Sequence, residues 1–127
     1  MPIITDNSNG NNKLRKVDIV IIDDEKFFTD ALASYLQMKK ASLVIDKYYH
    51  PEEFLKNVFI YPKNTKISID YDFKEDMNGI DLAEQLHNTG YTNLFLVSGK
   101  LEIIKKIPSY LTVLSKGNIE AFNKLII

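Results

Sequence analysis

The chain alternates between two hydrophobic patterns. The first is a short, β-branched apolar run bounded by charge, met at residues 17–22 (VDIVII), the mark of a strand buried on both faces. The second is helical spacing. In EKFFTDALASYLQMKK (25–40), Phe28, Ala31, Leu32, Tyr35 and Leu36 recur every three or four residues. The pair then repeats. SLVIDKYY (42–49) reads as a strand and HPEEFLKNV (50–58) as a helix, with Pro51 in its first turn and acids beside it. KISID (66–70) is a third strand, followed by a loop and the helix GIDLAEQLHNTG, which Gly90 can close at its C-terminal end. NLFLVSG (93–99) and YLTVLSKG (110–117) supply a fourth and a fifth strand. NIEAFNKLII ends the chain as a helix, with Asn118 as N-cap and Ile119, Phe122 and Leu125 or Ile126 facing inward. Only about a dozen residues separate Ser98 from the fifth strand, close to the minimum for a parallel crossover. Within them KLEIIKKI gives about two turns before Pro108 stops it. A fourth helix is therefore expected to be short or irregular.

Strands alternating with helices at this rhythm predict an α/β fold, a parallel sheet covered on both faces. At 127 residues the chain fits one domain. MPIITDNSNGNNKLRK, rich in Asn, Gly and Ser, reads as a flexible N-terminal tail over residues 1–15, with the domain spanning 16–127. Lys and Arg number 16 against 17 Asp and Glu, so no global field favours nucleic acid or an anionic membrane. Cysteine is absent, which excludes disulfides and thiolate metal sites. No apolar stretch approaches the ~20 residues of a membrane span, and the N-terminus lacks a signal-peptide core. The expectation is a soluble, cytoplasmic protein.

What changes this picture is where the polar residues stand. In an open parallel sheet, ligands bind at the carboxyl ends of the strands. Here Asp23 and Asp24 close the first strand, Asp70 the third, Ser98 the fourth and Lys116 the fifth. Carboxylates converging on one spot repel and raise one another's pKa unless a cation neutralises them. A hard divalent ion such as Mg²⁺, which takes one or two carboxylates with carbonyl, phosphate and water oxygens, suits such a set. His50 and His87 lie away from the strand ends, which argues against zinc.

The arrangement resembles the receiver domain of bacterial two-component response regulators over residues 17–127. The matching stretches are DD at 23–24, IDYDFKEDMNGIDLAEQL at 69–86, VSG at 97–99 and LSKG at 114–117. The resemblance implies a flavodoxin-like, doubly wound five-stranded sheet in the order 2-1-3-4-5 with helices on both faces. It also implies a phosphoacceptor aspartate. The third strand runs directly into Asp70, and although the family more often spaces acceptor and loop glycine by eight residues, Asp70 precedes Gly79 by nine and Asp72 by seven. A form with a one-residue-longer loop occurs in the family, and DYDFKEDMNG looks like it. Asp70 is accordingly taken as the acceptor.

By the same resemblance Asp24 and Asp70 bind Mg²⁺ directly, Asp23 binds it through water, and Asp72 offers its backbone carbonyl. Lys116 pairs with a phosphoryl oxygen, Ser98 hydrogen-bonds another, and Gly99 gives the group room. The implied partners are a histidine kinase or histidine phosphotransfer protein and a downstream protein target, with no direct nucleic-acid or membrane contact, in a monomer or weak homodimer. The domain would be an acceptor that promotes its own phosphorylation and slow dephosphorylation, not an enzyme acting on other substrates. No DNA-binding module follows residue 127, so output is expected through a partner, whether the domain stands alone or is excised from a longer chain. Four departures bear on signalling: Lys74 and its neighbours replace a loop proline, Gly117 replaces the proline after the lysine, Val113 stands where many receivers carry a switch aromatic, and the fourth crossover is short. They motivate an alternative, a pseudo-receiver acting as a phosphorylation-independent binding module. A Mg²⁺-dependent phosphohydrolase is a third reading, raised by Asp72 two residues past Asp70.

Overall fold

The structure is a computed structural model and describes residues 14–73, 77–100 and 103–127. Most of the tail (1–13), Lys74 with the rest of 74–76, and positions 101–102 of the last crossover lie outside the described residues. Five strands form one parallel sheet in the order β2-β1-β3-β4-β5: β1 Ile19–Ile22, β2 Ile45–Tyr48, β3 Lys66–Asp70, β4 Leu94–Ser98 and β5 Leu111–Ser115. Among the described residues three α-helices connect them: α1 Lys26–Lys39, α2 Pro51–Asn57 and α3 Gly79–Asn88. A 3-10 turn, Val58–Ile60, extends α2, and a second, Ile119–Leu125, lies after β5.

The β-branched run in β1 is buried from end to end, none of its four residues being more than 1 % exposed. Strand geometry sends alternate side chains to opposite faces. Val20 and Ile22 join the core made with Phe54, Val58, Tyr61, Leu82 and Leu86, under α2 and α3. Ile19 and Ile21 join Leu32, Leu36, Phe122 and Leu125, under α1 and the C-terminal turn. Each such fully buried aliphatic side chain contributes ~1.5–3 kcal/mol, so the central strand is held from both sides.

Some elements differ from the sequence reading. The inward stripe of α1 is Thr29, Leu32, Ala33 and Leu36, while Ala31 is exposed. Thr29 can be buried because its hydroxyl donates to the Asp23 and Glu25 carbonyls, each at 3.1 Å. The edge strand β2 is shorter than expected and only partly buried. The last segment is a 3-10 helix instead of an α-helix; Asn118 makes no side-chain cap and Ile119 is 40 % exposed, whereas Phe122 and Leu125 are buried. Residues 104–108 of the last crossover adopt no regular structure, in line with the irregular fourth connection.

Helix α3 starts with a capping box: Asp81 N–H donates to Asn78 Oδ1 at 2.9 Å, and Asn78 N–H donates to Asp81 Oδ2 at 3.1 Å. It closes on Gly90, whose φ of 106° is the left-handed conformation that glycine permits. Of the residues assigned to the tail, Arg15 is anchored, its guanidinium donating to both Asp46 oxygens at 2.8 Å. No helix among the described residues is long and apolar enough to cross a membrane.

Candidate functional site

Strand order reverses between β1 and β3, and their register pairs Ile22 with Ile69. One residue further, Asp23 and Asp70 therefore stand side by side. β4 pairs with β3 up to Asp70 opposite Val97, and β5 with β4 up to Ser115 opposite Ser98. The ladder then hands the chain on: Tyr71 N–H donates to Val97 O at 2.8 Å, and Lys116 N–H to Ser98 O at 3.0 Å. Four strand ends are thus held at one level by backbone bonds, and their polar residues converge.

Asp23, Asp24 and Asp70 can each offer one carboxylate oxygen within 4.8 Å of the other two. Asp23 and Asp70 are both 2 % exposed. The Lys116 ammonium lies 2.9 Å from Asp23 Oδ2, 3.1 Å from Glu25 Oε1 and 3.4 Å from Asp70 Oδ1, with its charge 4.7 Å above the Phe28 ring. Asp70 Oδ2 is buried with no hydrogen-bond partner.

The charges follow from this geometry. Burial, reinforced by the Asp23 carboxylate and opposed by Lys116, pushes the Asp70 carboxyl up to about 7. Burial also raises Asp23, against the Glu25 N–H and Lys116, which favour its ionised form. Burial would depress Lys116, but Asp23, Asp70 and Glu25 outweigh it and hold the ammonium at about 12. Asp70 stays high beside this cation because burial and the Asp23 carboxylate together outweigh it. The cluster is short of positive charge, and a buried carboxylate oxygen faces it unsatisfied. An oxygen-only donor set of this kind fits a hard divalent cation, with Asp23, Asp24 and Asp70 as the residues that would hold it.

A cleft of about 220 Å³ opens over the cluster, lined by Glu25, Asp70, Tyr71, Asp72, Ser98, Gly99, Lys100, Ile103 and Lys116. Ser98 is 5 % exposed, and its hydroxyl oxygen accepts the Lys100 N–H at 3.0 Å, which leaves its O–H as a donor. A side chain at Gly99 would meet nothing within 4 Å. The structure thus buries Asp70 in the cluster and puts Asp72, exposed, at the rim. The bond from Lys116 to Gly117 is trans.

Two residues of the site were given no role there from the sequence, where Gly79 served only as a spacing landmark for the acceptor. Gly79, the first residue of α3, packs on the end of β3 so closely that a Cβ there would lie 2.3 Å from Asp70 O. Glu25 pairs with Lys116, and its N–H donates to Asp23 Oδ1 at 2.8 Å. Glu25 follows directly after the aspartate pair, which was the available signal.

Solved structures share this fold. The receiver domain of the hybrid histidine kinase CckA superposes with a TM-score of 0.65 at 17% identity, covering 85% of this chain and 94% of that one. FixJ-N gives 0.66 at 18%, covering 89% and 92%. The receiver domain of the Francisella response regulator 1452 gives 0.64 at 19%, covering 87% and 94%. The chain therefore has the receiver-domain fold expected from its sequence, in the same strand order. No family model and no curated protein matches the sequence.

Proposed function

We propose that the domain is a phosphoacceptor switch. The observation that carries this reading is a buried Asp70, with one oxygen unsatisfied, between two further carboxylates and a buried lysine at the switch point of a receiver fold. Asp70 attacks the phosphorus of a phosphohistidine on a kinase or phosphotransfer protein. A P–O bond forms to its carboxylate as the P–N bond breaks, and the imidazole leaves with the electron pair. Bound by Asp23, Asp24 and Asp70, with the Asp72 carbonyl completing the set, Mg²⁺ would spread the charge of the phosphoryl oxygens during in-line transfer. Lys116 pairs with one phosphoryl oxygen, and the Ser98 O–H donates to another. Gly99 leaves that side open. Slow hydrolysis of the acyl phosphate resets the site, and a cytoplasmic partner protein reads its state.

Intact-protein mass spectrometry after incubation with acetyl phosphate and Mg²⁺ tests this. One phosphoryl adduct that requires both Mg²⁺ and Asp70 is expected; Asp70→Asn should abolish it while leaving the fold intact. An adduct that persists in that variant would move the acceptor to Asp72. A second reading, a binding module independent of phosphorylation, is favoured by the irregular last crossover, and folded parent protein without any adduct would select it.

A further inference from the structure

We infer that Glu25 is a charge gate at the mouth of the cleft, one that disfavours small, doubly anionic phosphodonors relative to less charged ones. This rests on Asp70 being the acceptor. The Glu25 backbone is fixed at both ends: its N–H donates to Asp23 Oδ1 at 2.8 Å, and its carbonyl accepts the Thr29 N–H at 3.0 Å and the Thr29 hydroxyl at 3.1 Å. A residue so anchored does not swing out of the site as a whole. Its side chain is 61% exposed, yet the carboxylate turns toward the cleft and meets Lys116 at 3.1 Å.

The same ammonium lies 3.4 Å from Asp70 Oδ1. Glu25 and Asp70 therefore share one cation and line the same cleft, so a phosphoryl group that reaches Asp70 meets the field of the Glu25 carboxylate. Two consequences follow. Lys116 must share its three N–H donors among Glu25, Asp23 and the incoming oxygens. The donor's own charge is repelled by the Glu25 carboxylate, an interaction that salt screens because that side chain is largely exposed. Repulsion scales with donor charge. A doubly charged acyl phosphate is held back more than phosphoramidate, whose net charge near neutrality is single, or than a phosphohistidine carried on a protein surface that brings its own cations.

The test measures phosphorylation time courses of the parent, Glu25→Gln and Glu25→Asp with acetyl phosphate and with phosphoramidate, at low and high KCl and fixed Mg²⁺. Glu25→Gln is expected to react about three- to tenfold faster with acetyl phosphate at low salt, with a smaller gain for phosphoramidate, and both gains should shrink at high salt. Glu25→Asp keeps the charge and should keep the parent's donor preference. Equal acceleration with both donors, or none, overturns the gate. A parent that takes phosphoryl from neither donor removes the acceptor reading and the gate with it, an outcome distinct from labelling at rates indifferent to Glu25.

Discussion

Replacing Gly79 by alanine should destabilise the protein although it stands at the start of a helix. Alanine there gains at most about 1 kcal/mol in helix propensity. Against this, the new Cβ would stand 2.3 Å from Asp70 O and 2.8 Å from Tyr71 Cα, both backbone atoms that no rotamer change can move. Restoring an ordinary contact of ~3.5 Å requires about 1 Å of separation between α3 and the end of β3. Yet Gly79 N–H also donates to Tyr71 O at 2.8 Å, a bond that resists such movement. Overpacking of this kind costs ~1–3 kcal/mol, so the net loss should be about 1–2 kcal/mol. In urea, with a slope of ~1–3 kcal/mol/M, the midpoint should fall by roughly 0.5–1 M. Because the displaced carbonyl belongs to Asp70, Mg²⁺ affinity should fall as well. Gly99→Ala is the control, since it meets nothing within 4 Å. If Gly79→Ala proved as stable as Gly99→Ala, the helix would be free to move away, and the close approach would not position the acceptor.

Metal-free protein should be more stable at pH 5.5 than at pH 8. Asp70 lies at about 7, above its ordinary value, so the folded state holds the proton that the unfolded state has released, and stability falls as pH rises toward 7. Between pH 5.5 and 7 this amounts to about 2 kcal/mol; thermal melts at both pH values check it, Mg²⁺ should reverse the trend, and equal stability would refute it. Lys116→Ala should still bind Mg²⁺ by calorimetry but lose stability in its absence, because Asp23 and Asp70 lose their cation; unchanged stability would mean that the lysine is dispensable to the cluster. Tyr61→Phe should cost ~1–2 kcal/mol by urea unfolding, since the buried hydroxyl donates to Asp46 Oδ2 at 2.6 Å. Burial, then Asp46, raises the Tyr61 pKa, so its contribution is whole below the ordinary tyrosine value of ~10 and is lost as pH rises beyond it. A parent and Tyr61→Phe that lose stability equally at alkaline pH would remove Tyr61 as the cause.

Strand ends were legible because largely apolar runs give way to Asp23, Asp70, Ser98 and Lys116, and a parallel sheet collects such ends at one level. The capping box of Asn78 and Asp81 and the 3-10 form of the last segment were not read from the sequence, although both leave a spacing of three there. Ile119, Phe122 and Leu125 are spaced by three, the repeat of a 3-10 helix, in which residues three apart eclipse. Arg15, Asp46 and Tyr61 were not legible as a group. They lie far apart in sequence and come from a segment before β1, an edge strand and the turn after α2, and only tertiary packing joins them. Glu25 was hidden for another reason: an acid at a helix start looks solvated until the fold brings a lysine from the far edge strand against it.

The ammonium above Phe28 reaches beyond electrostatics. The Phe28 ring meets Phe122 edge-on, with centroids 5.8 Å apart, and Phe122 anchors the C-terminal turn in its core. Drawing Lys116 toward a new anion in the cleft would weaken a contact worth ~0.5–2 kcal/mol on that ring face. Ring currents and side-chain resonances of Phe28 and Phe122 should then shift with the occupancy of the cleft. In a chain without tryptophan, this pair offers a native spectroscopic reporter of the site's state, read from the opposite layer of the sheet to α3.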